Sequence, residues 1–366
     1  MQLTRSLELL MDGLPYHGNI REQVSCVGPK SGKGSQQSGN QISPQNAGKM
    51  GREQRHLLLL CLACFVFLTR SSGYKICSYN VQNLNISKVS DTTVLHLLTK
   101  ILSNCDVCLL QEVKDPDGEA MDRLISSLDS YDDFSYNYVT SENLGPSGEE
   151  EQYVFLYRNE TAALVETYQY PKSKKENVFS REPFIVHFKA PKTKIGEFVL
   201  IPLRVEPQNA LKELDSLFDV LTEIKTKWNV ENIMLLGDFH ADCGYVTRKN
   251  RINNRLFSNR DLFWLIRDNA DTTVTDMTDC AYDRFVVHGE KFLKAIEPQS
   301  ARVFNFKKKF KISTDYVLKI SDHYPIEVKL KEVKSAGQLQ ALMQPVLLIL
   351  PLMVLFILPD STTLLM

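Results

Sequence analysis

The sequence predicts an α/β protein with buried sheets, on three observations. Short apolar runs rich in β-branched and aromatic residues alternate with amphipathic stretches of helical spacing. Polar side chains stand at the ends of those runs, where layered α/β folds build their sites. The chain has 366 residues, 24% of them charged, enough for one large domain with extra terminal segments. A formal net charge of -1 argues against capture of a polyanion by the whole surface, and leaves room for a local basic face.

Lys75-Ile-Cys-Ser-Tyr opens the domain as a strand ended by Asn80. Residues 94–102 have helical spacing, and the run 105–110 ends at Gln111-Glu112. Residues 153–157 and 184–188 alternate as strands do, and the short buried run 198–203 is followed by Arg204. Residues 211–226 are apolar on one helical face and charged on the other. A further buried run, 233–236, leads into Gly237-Asp238. Ser321-Asp322-His323 precede the last run, Tyr324-Pro325-Ile-Glu-Val. Any one of these polar residues fits a cap or turn; five such groups in one domain point to a site.

Both ends read as processing signals. Residues 57–68 are apolar, follow Arg52 and Arg55, and precede Ser71-Ser-Gly. That length is short for a bilayer, which needs about 20 residues, and suits a secretory signal peptide. The expected partition is 1–49 as a disordered leader or gene-model extension, 50–73 as signal peptide and 74–334 as the domain. Residues 335–366 form a lipid-anchor signal or membrane tail: small residues Ser335-Ala-Gly, a spacer, then an apolar stretch interrupted by Pro351. Five of the eight cysteines lie in the domain, namely Cys77, Cys105, Cys108, Cys243 and Cys280, and an odd count leaves one unpaired. Asn85-Ile-Ser and Asn159-Glu-Thr are acceptor sequons for an exported chain. The expected location is the secretory pathway and then the extracellular space or cell surface.

Six segments carry a likeness: Tyr79-Asn-Val-Gln, Leu110-Gln-Glu-Val, Ser180-Arg-Glu-Pro, Gly237-Asp-Phe, Cys280-Ala-Tyr-Asp-Arg and Ser321-Asp-His-Tyr-Pro. In that order they resemble the motifs of the deoxyribonuclease I family, closest to its membrane-anchored or gamma-like branches. The resemblance implies an endonuclease/exonuclease/phosphatase-like four-layer sandwich, two central β-sheets flanked by helices. It implies hydrolysis of DNA phosphodiesters with Mg²⁺ (or Mn²⁺) and Ca²⁺, DNA as partner, actin as a further candidate partner, and a monomer. A disulfide between Cys243 and Cys280 is implied in the same way.

The residue types suit that chemistry. Glu112, Asp238 and Asp322, with Asn80 as a neutral oxygen donor, are hard ligands for Mg²⁺. Arg181 can fork onto phosphate oxygens, and Lys114 stands where the family has a groove-contacting arginine. His323 moves a proton near neutral pH, with Asp283 resembling the carboxylate that orients it. Two positions depart from the pattern. Pro202-Leu203 is followed by Arg204 where the family has a catalytic histidine, and Gly237-Asp-Phe is followed by His240 where it has an asparagine. An arginine stays protonated and is no general base. Glu151 matches the carboxylate that holds the missing histidine, so an Arg204–Glu151 ion pair is expected, with His240 brought to the site by strand alternation. The Glu149-Glu-Glu run should repel phosphate; Arg248, Lys249, Arg251 and Arg255, or residues 307–311, are the candidate compensation. The expected activity is a weakened or altered deoxyribonuclease. The alternatives are an inactive surface module that binds DNA or protein, and a lipid- or inositol-phosphate phosphoesterase.

Overall fold

The computed structural model describes residues 73–172, 178–275 and 277–333. The segments read as leader, signal peptide and anchor lie outside those residues, apart from Gly73. Among the described residues no helix is long and apolar enough to cross a membrane.

Two six-stranded sheets form the centre, and both are mixed. The first contains β1 (Tyr74–Leu84), β2 (Val107–Val113), β3 (Tyr136–Thr140), β4 (Gln152–Arg158), β11 (Arg302–Val303) and β12 (Ile326–Leu330) in the order β11-β12-β1-β2-β4-β3. The second contains β5 (Ala163–Gln169), β6 (Phe184–Ala190), β7 (Gly196–Pro202), β8 (Ile233–Asp238), β9 (Leu262–Trp264) and β10 (Asp283–His288) in the order β5-β6-β7-β8-β10-β9. Each sheet holds one parallel pair, β1 with β2 and β7 with β8, joined by helical crossovers. The crossovers are α1 (Ile86–Ser90) and α2 (Thr92–Leu102) in the first sheet, and α4 (Ala210–Trp228) in the second.

Alternation along the strands makes the layers. Ile76, Val107, Leu109 and Phe155 of the first sheet meet Val186, Phe188, Phe198, Leu200, Met234 and Phe285 of the second in one core. The neighbours pointing the other way, Cys77, Tyr79, Cys108 and Leu110, pack against α2, α3 (Glu119–Asp129) and α9 (Thr314–Ile320). Likewise Ile185, Val199, Ile201 and Leu235 pack against α4. Strands buried on both faces are the reason the sequence reads as short apolar runs. The four-layer sandwich is therefore as expected.

The helices begin and end where their chemistry says. Asp91 caps α2, accepting from Thr93 N at 2.9 Å and Val94 N at 3.2 Å. Asp115 accepts from Ala120 N and Met121 N at the start of α3. Asn229, at φ 50, stops α4 in the left-handed region. Disulfides Cys77–Cys105 and Cys243–Cys280 are formed, the second as implied by the family likeness. Each stabilises by about 3–4 kcal/mol on the chain-entropy model. Among the described residues Cys108 is the unpaired thiol; it is buried, and burial holds its pKa well above the ordinary thiol value.

Other segments explain why parts of the site escape simple pattern. Strand β1 does not stop at Asn80. It continues through a bulge, with Gln82 and Asn83 at positive φ, after the last regular pair Asn80↔Gln111. Lys88 of α1 holds that bulge by donating to the carbonyls of Val81 and Gln82. The remaining short helices are α5 (Arg248–Arg251), α6 (Arg255–Ser258), α7 (Glu290–Ala295) and α8 (Phe306–Phe310).

Candidate active site

The site lies on the seam between the sheets, and one buried amide ties the seam. Gln111 of β2 donates from Nε2 to the carbonyl of Leu203 at 3.0 Å and accepts from Asp238 N at 2.9 Å. A first-sheet side chain thus fixes the ends of β7 and β8 in the second sheet. Gly237 makes room for it: at φ +134, a Cβ here would lie 2.2 Å from the Leu203 carbonyl oxygen and 2.8 Å from Gln111 Nε2. The sequence offered Gln111 only as part of a motif; its position pinning two strand ends was not legible.

Asp238 and Asp283 are direct partners in the antiparallel β8–β10 pair, and both are fully buried. His323 reaches them from the segment before β12. Ser321 Oγ donates to the Asn80 carbonyl at 2.7 Å and accepts from His323 N at 3.0 Å, which anchors the turn. His323 Nδ1 lies 2.8 Å from Asp283 Oδ2, and Nε2 lies 3.8 Å from Asp238 Oδ2. Asp283 therefore accepts a hydrogen bond from Nδ1–H and leaves Nε2 facing Asp238. Burial alone would lower the His323 pKa, but the charges of Asp283 and Asp238 outweigh it and push it up to about 10. Asp238 goes the other way: burial would raise it, yet His240 and His323 hold it well below the usual carboxylate range. Thr272 Oγ1 accepts from Tyr282 N and Asp283 N, and Arg284 donates to the Ala281, Ile266 and Ala241 carbonyls. Both groups fix the strand that carries Asp283, and neither was singled out from the sequence for that role.

Asn80 joins the two sheets' carboxylates. Its Nδ2 donates to Glu112 Oε1 at 2.9 Å and faces Asp238 Oδ2 at 3.3 Å, while its Oδ1 accepts from Gln82 N. Glu112 sits at φ 59, which turns its side chain toward the seam. The expected Arg204–Glu151 ion pair is present, Nη1 to Oε2 at 3.3 Å. Two further contacts were not anticipated. Arg204 Nη2 also lies 2.7 Å from Glu112 Oε1, and Arg181 Nε lies 2.9 Å from the other oxygen of Glu151. Tyr153 OH accepts from Arg204 N at 2.8 Å and holds this loop. Burial raises the Glu151 pKa, and Arg204 and Arg181 offset part of that rise.

His240 is at the site by a different route from strand alternation. The strand ends at Asp238, and His240 adopts φ 43, a left-handed turn position. Its Nδ1 is thereby 2.8 Å from Asp238 Oδ1. The ring stacks on Tyr282 with centroids 4.4 Å apart and meets Tyr245 edge-on at 5.3 Å. Two imidazoles thus flank one buried carboxylate.

Other expected residues stand further out. Asp322 is partly exposed; its carbonyl accepts from Val274 N, and its charge, with that of Glu112, bears on Lys88. Burial lowers the Lys88 pKa to about 8 against those two carboxylates. Lys114 forms no ion pair among the described residues, and Glu149 is exposed. Two of the candidate basic residues are spent, Arg255 on Asp215 and Asp219 and Arg251 on Asp268, while Lys308, Lys309 and Lys311 are exposed. Arg248 and Lys249 remain as exposed charge.

Glu213 of α4 supports the Arg181 loop. Its Oε1 accepts from Ser180 Oγ at 2.9 Å and from Glu206 N, while Oε2 is buried without a partner. Burial pushes its pKa up to about 7 despite those bonds. A raised folded-state pKa stabilises fully below the ordinary value of 4.5, and that contribution is lost as pH climbs through 7. Glu213→Gln should therefore be more stable than wild type by about 2–3 kcal/mol at pH 8.5, with no gain near pH 4.5. Melting curves at the two pH values check this; an equal gap at both would refute it.

Glu112 and Asp238 meet on Asn80 Nδ2, and Asp322 stands across Lys88 from Glu112; carboxylate oxygens of this kind fit a small hard cation better than a soft one. Asp238, Asp283 and His323 also present ligand atoms within 4.8 Å of one another, so Asp238 belongs to both groupings.

Residues 77–323 match the Endonuclease/Exonuclease/phosphatase family. The chain is 38% identical over 290 residues to deoxyribonuclease gamma of Homo sapiens, covering 78% of this chain and 94% of that protein. It is 42% identical over 278 residues to deoxyribonuclease-1 of Gallus gallus, covering 75% and 98%. It is also 42% identical over 261 residues to deoxyribonuclease-1-like 2 of Mus musculus, covering 71% and 93%.

Proposed function

The chain belongs to the deoxyribonuclease branch of the endonuclease/exonuclease/phosphatase family, and from that premise we propose that it is a divalent-metal-dependent endonuclease of DNA with a rearranged acid–base pair. The observation that carries this reading is the pair of imidazoles, His323 and His240, on opposite oxygens of Asp238. A phosphodiester hydrolysis needs one group to take a proton from water and another to give one to the departing oxygen. His323, charged at neutral pH, is the donor through Nε2, with Asp283 fixing its ring. His240 is the acceptor, held at a fixed angle by Tyr282 and Tyr245.

Glu112, Asp238 and Asp322 hold the cation, proposed as Mg²⁺, and Asn80 aligns the first two. The bound cation supplies charge neutralisation at the phosphate. Arg181 and Arg204 line the same rim with guanidinium groups shaped for phosphate oxygens. Retention of the whole Asp283–His323 pair supports turnover over a purely binding role. Two disulfides support an oxidising compartment, and the small-residue, spacer and apolar order after residue 334 supports a lipid anchor on a cell-surface protein.

Nicking of supercoiled plasmid by the purified protein with Mg²⁺ is the test. Wild type is expected to nick, and His240→Asn to lower the rate by ~10²-fold or more. Absence of nicking by wild type, with recovery in the Arg204→His, His240→Asn double variant, would sink this reading.

A further inference from the structure

Arg204 lies on the carboxylate assigned above to the cation. Its Nη2 is 2.7 Å from Glu112 Oε1, the same oxygen that accepts from Asn80 Nδ2 at 2.9 Å. Its Nη1 reaches Glu151 Oε2 at 3.3 Å, and the other Glu151 oxygen lies 2.9 Å from Arg181 Nε. Arg181 Nη1 in turn lies 3.5 Å from Glu206 Oε2. Charges of alternating sign, Glu112, Arg204, Glu151, Arg181 and Glu206, thus run along one rim of the cleft. The Arg204 side chain is 19% exposed, so its pairs are shielded from solvent yet open to an arriving ligand.

A guanidinium does not lose its proton under ordinary conditions, so it vacates a carboxylate only by moving. A divalent cation and a guanidinium on one oxygen repel each other strongly at such short range. Glu151 is the second berth, already in contact. Once there, Arg204 shares one carboxylate with Arg181, and the pair is short of negative charge.

We propose that Arg204 is a movable counter-ion that sets the metal requirement of this site: it neutralises Glu112 when no cation is bound, and swings onto Glu151 and the substrate phosphate when one arrives. The proposal rests on Glu112 being a cation ligand. It makes Arg204 an opponent of cation binding and makes cation and phosphate binding mutually supportive.

The test reads binding, with Mn²⁺ as probe, by electron paramagnetic resonance of the free ion over the full chain. Arg204→Met is expected to tighten Mn²⁺ binding by ~10-fold, the usual size of coupling between two sites. Glu151→Gln removes the second berth and is expected to weaken binding, with a much smaller effect when Arg204→Met is already present. Unchanged or weaker binding by folded Arg204→Met overturns the proposal. So does undiminished binding by Glu112→Gln, which would put the cation elsewhere. Should Arg204→Met fail to fold, wild type still answers: the Arg204 side-chain ¹⁵N resonances should shift as Mg²⁺ saturates, and their constancy overturns the idea. Nicking that fails while these binding shifts persist would sink the nuclease reading alone.

Discussion

Replacing His323 with alanine should reduce plasmid nicking by ~10³-fold, the scale of losing a proton-transfer group together with the carboxylate it orders. The imidazole is buried between Asp283 and Asp238, and a water in its place would carry neither its charge nor its proton-transfer capacity at neutral pH. Removing it also leaves two buried carboxylates without their shared counter-charge, which costs about 2–4 kcal/mol of stability. The pH dependence separates this from a simple packing defect. The His323 pKa stands at about 10 in the fold against an ordinary 6.5. Its contribution is full below 6.5 and is lost as pH rises through 10. The stability deficit of His323→Ala should therefore be largest near pH 6 and shrink above pH 10. Nicking rates measured well below each variant's melting temperature, with melting curves at both pH values, check the two claims. Nicking within about threefold of wild type would remove His323 from the mechanism.

Gly237→Ala should be nearly as damaging without touching a reacting group. The new methyl would sit 2.2 Å from a backbone oxygen, that of Leu203, and 2.8 Å from Gln111 Nε2. Backbone cannot yield as a flexible side chain does, and φ +134 is itself costly for any residue with a Cβ. The expected loss is about 3 kcal/mol or more, which for a domain of this size lowers Tm by ~6–12 °C. Activity should fall further than stability, because the displaced Gln111 no longer sets the position of Asp238. Calorimetry and nicking on the same preparation decide the matter; an unaltered Tm would mean that the seam is looser than described.

The layers were legible because both faces of each central strand are apolar, and that pattern needs no knowledge of partners. Val107, Leu109 and Phe155 had to be core whichever strands they met. Asp283 beside His323, and Arg204 beside Glu151, followed from family likeness and charge. The remainder depended on backbone turns that composition does not announce. His240 reaches Asp238 through a left-handed turn, and Glu112 reaches Arg204 through a positive-φ irregularity inside β2. The basic set misled for a related reason. Arg255 is only a few positions from Arg248 and Lys249, but Asp215 and Asp219, which engage it, lie one face of a distant helix away. The choice of Cys105 over Cys108 as partner of Cys77 was equally open until the crossover placed them.

The reagents of this site are divided between two bodies. Asn80 and Glu112 stand on one sheet, with Glu151 and His323 in segments that lead into its strands; Asp238 and Asp283 stand on the other, with Arg204 and His240 just past its strand ends. Neither half holds a complete set, so turnover reports how well the halves are apposed. Small slippage along the joint would silence the enzyme while leaving each sheet's ladder of strands intact. Warming should accordingly extinguish nicking before circular dichroism registers any loss of strand.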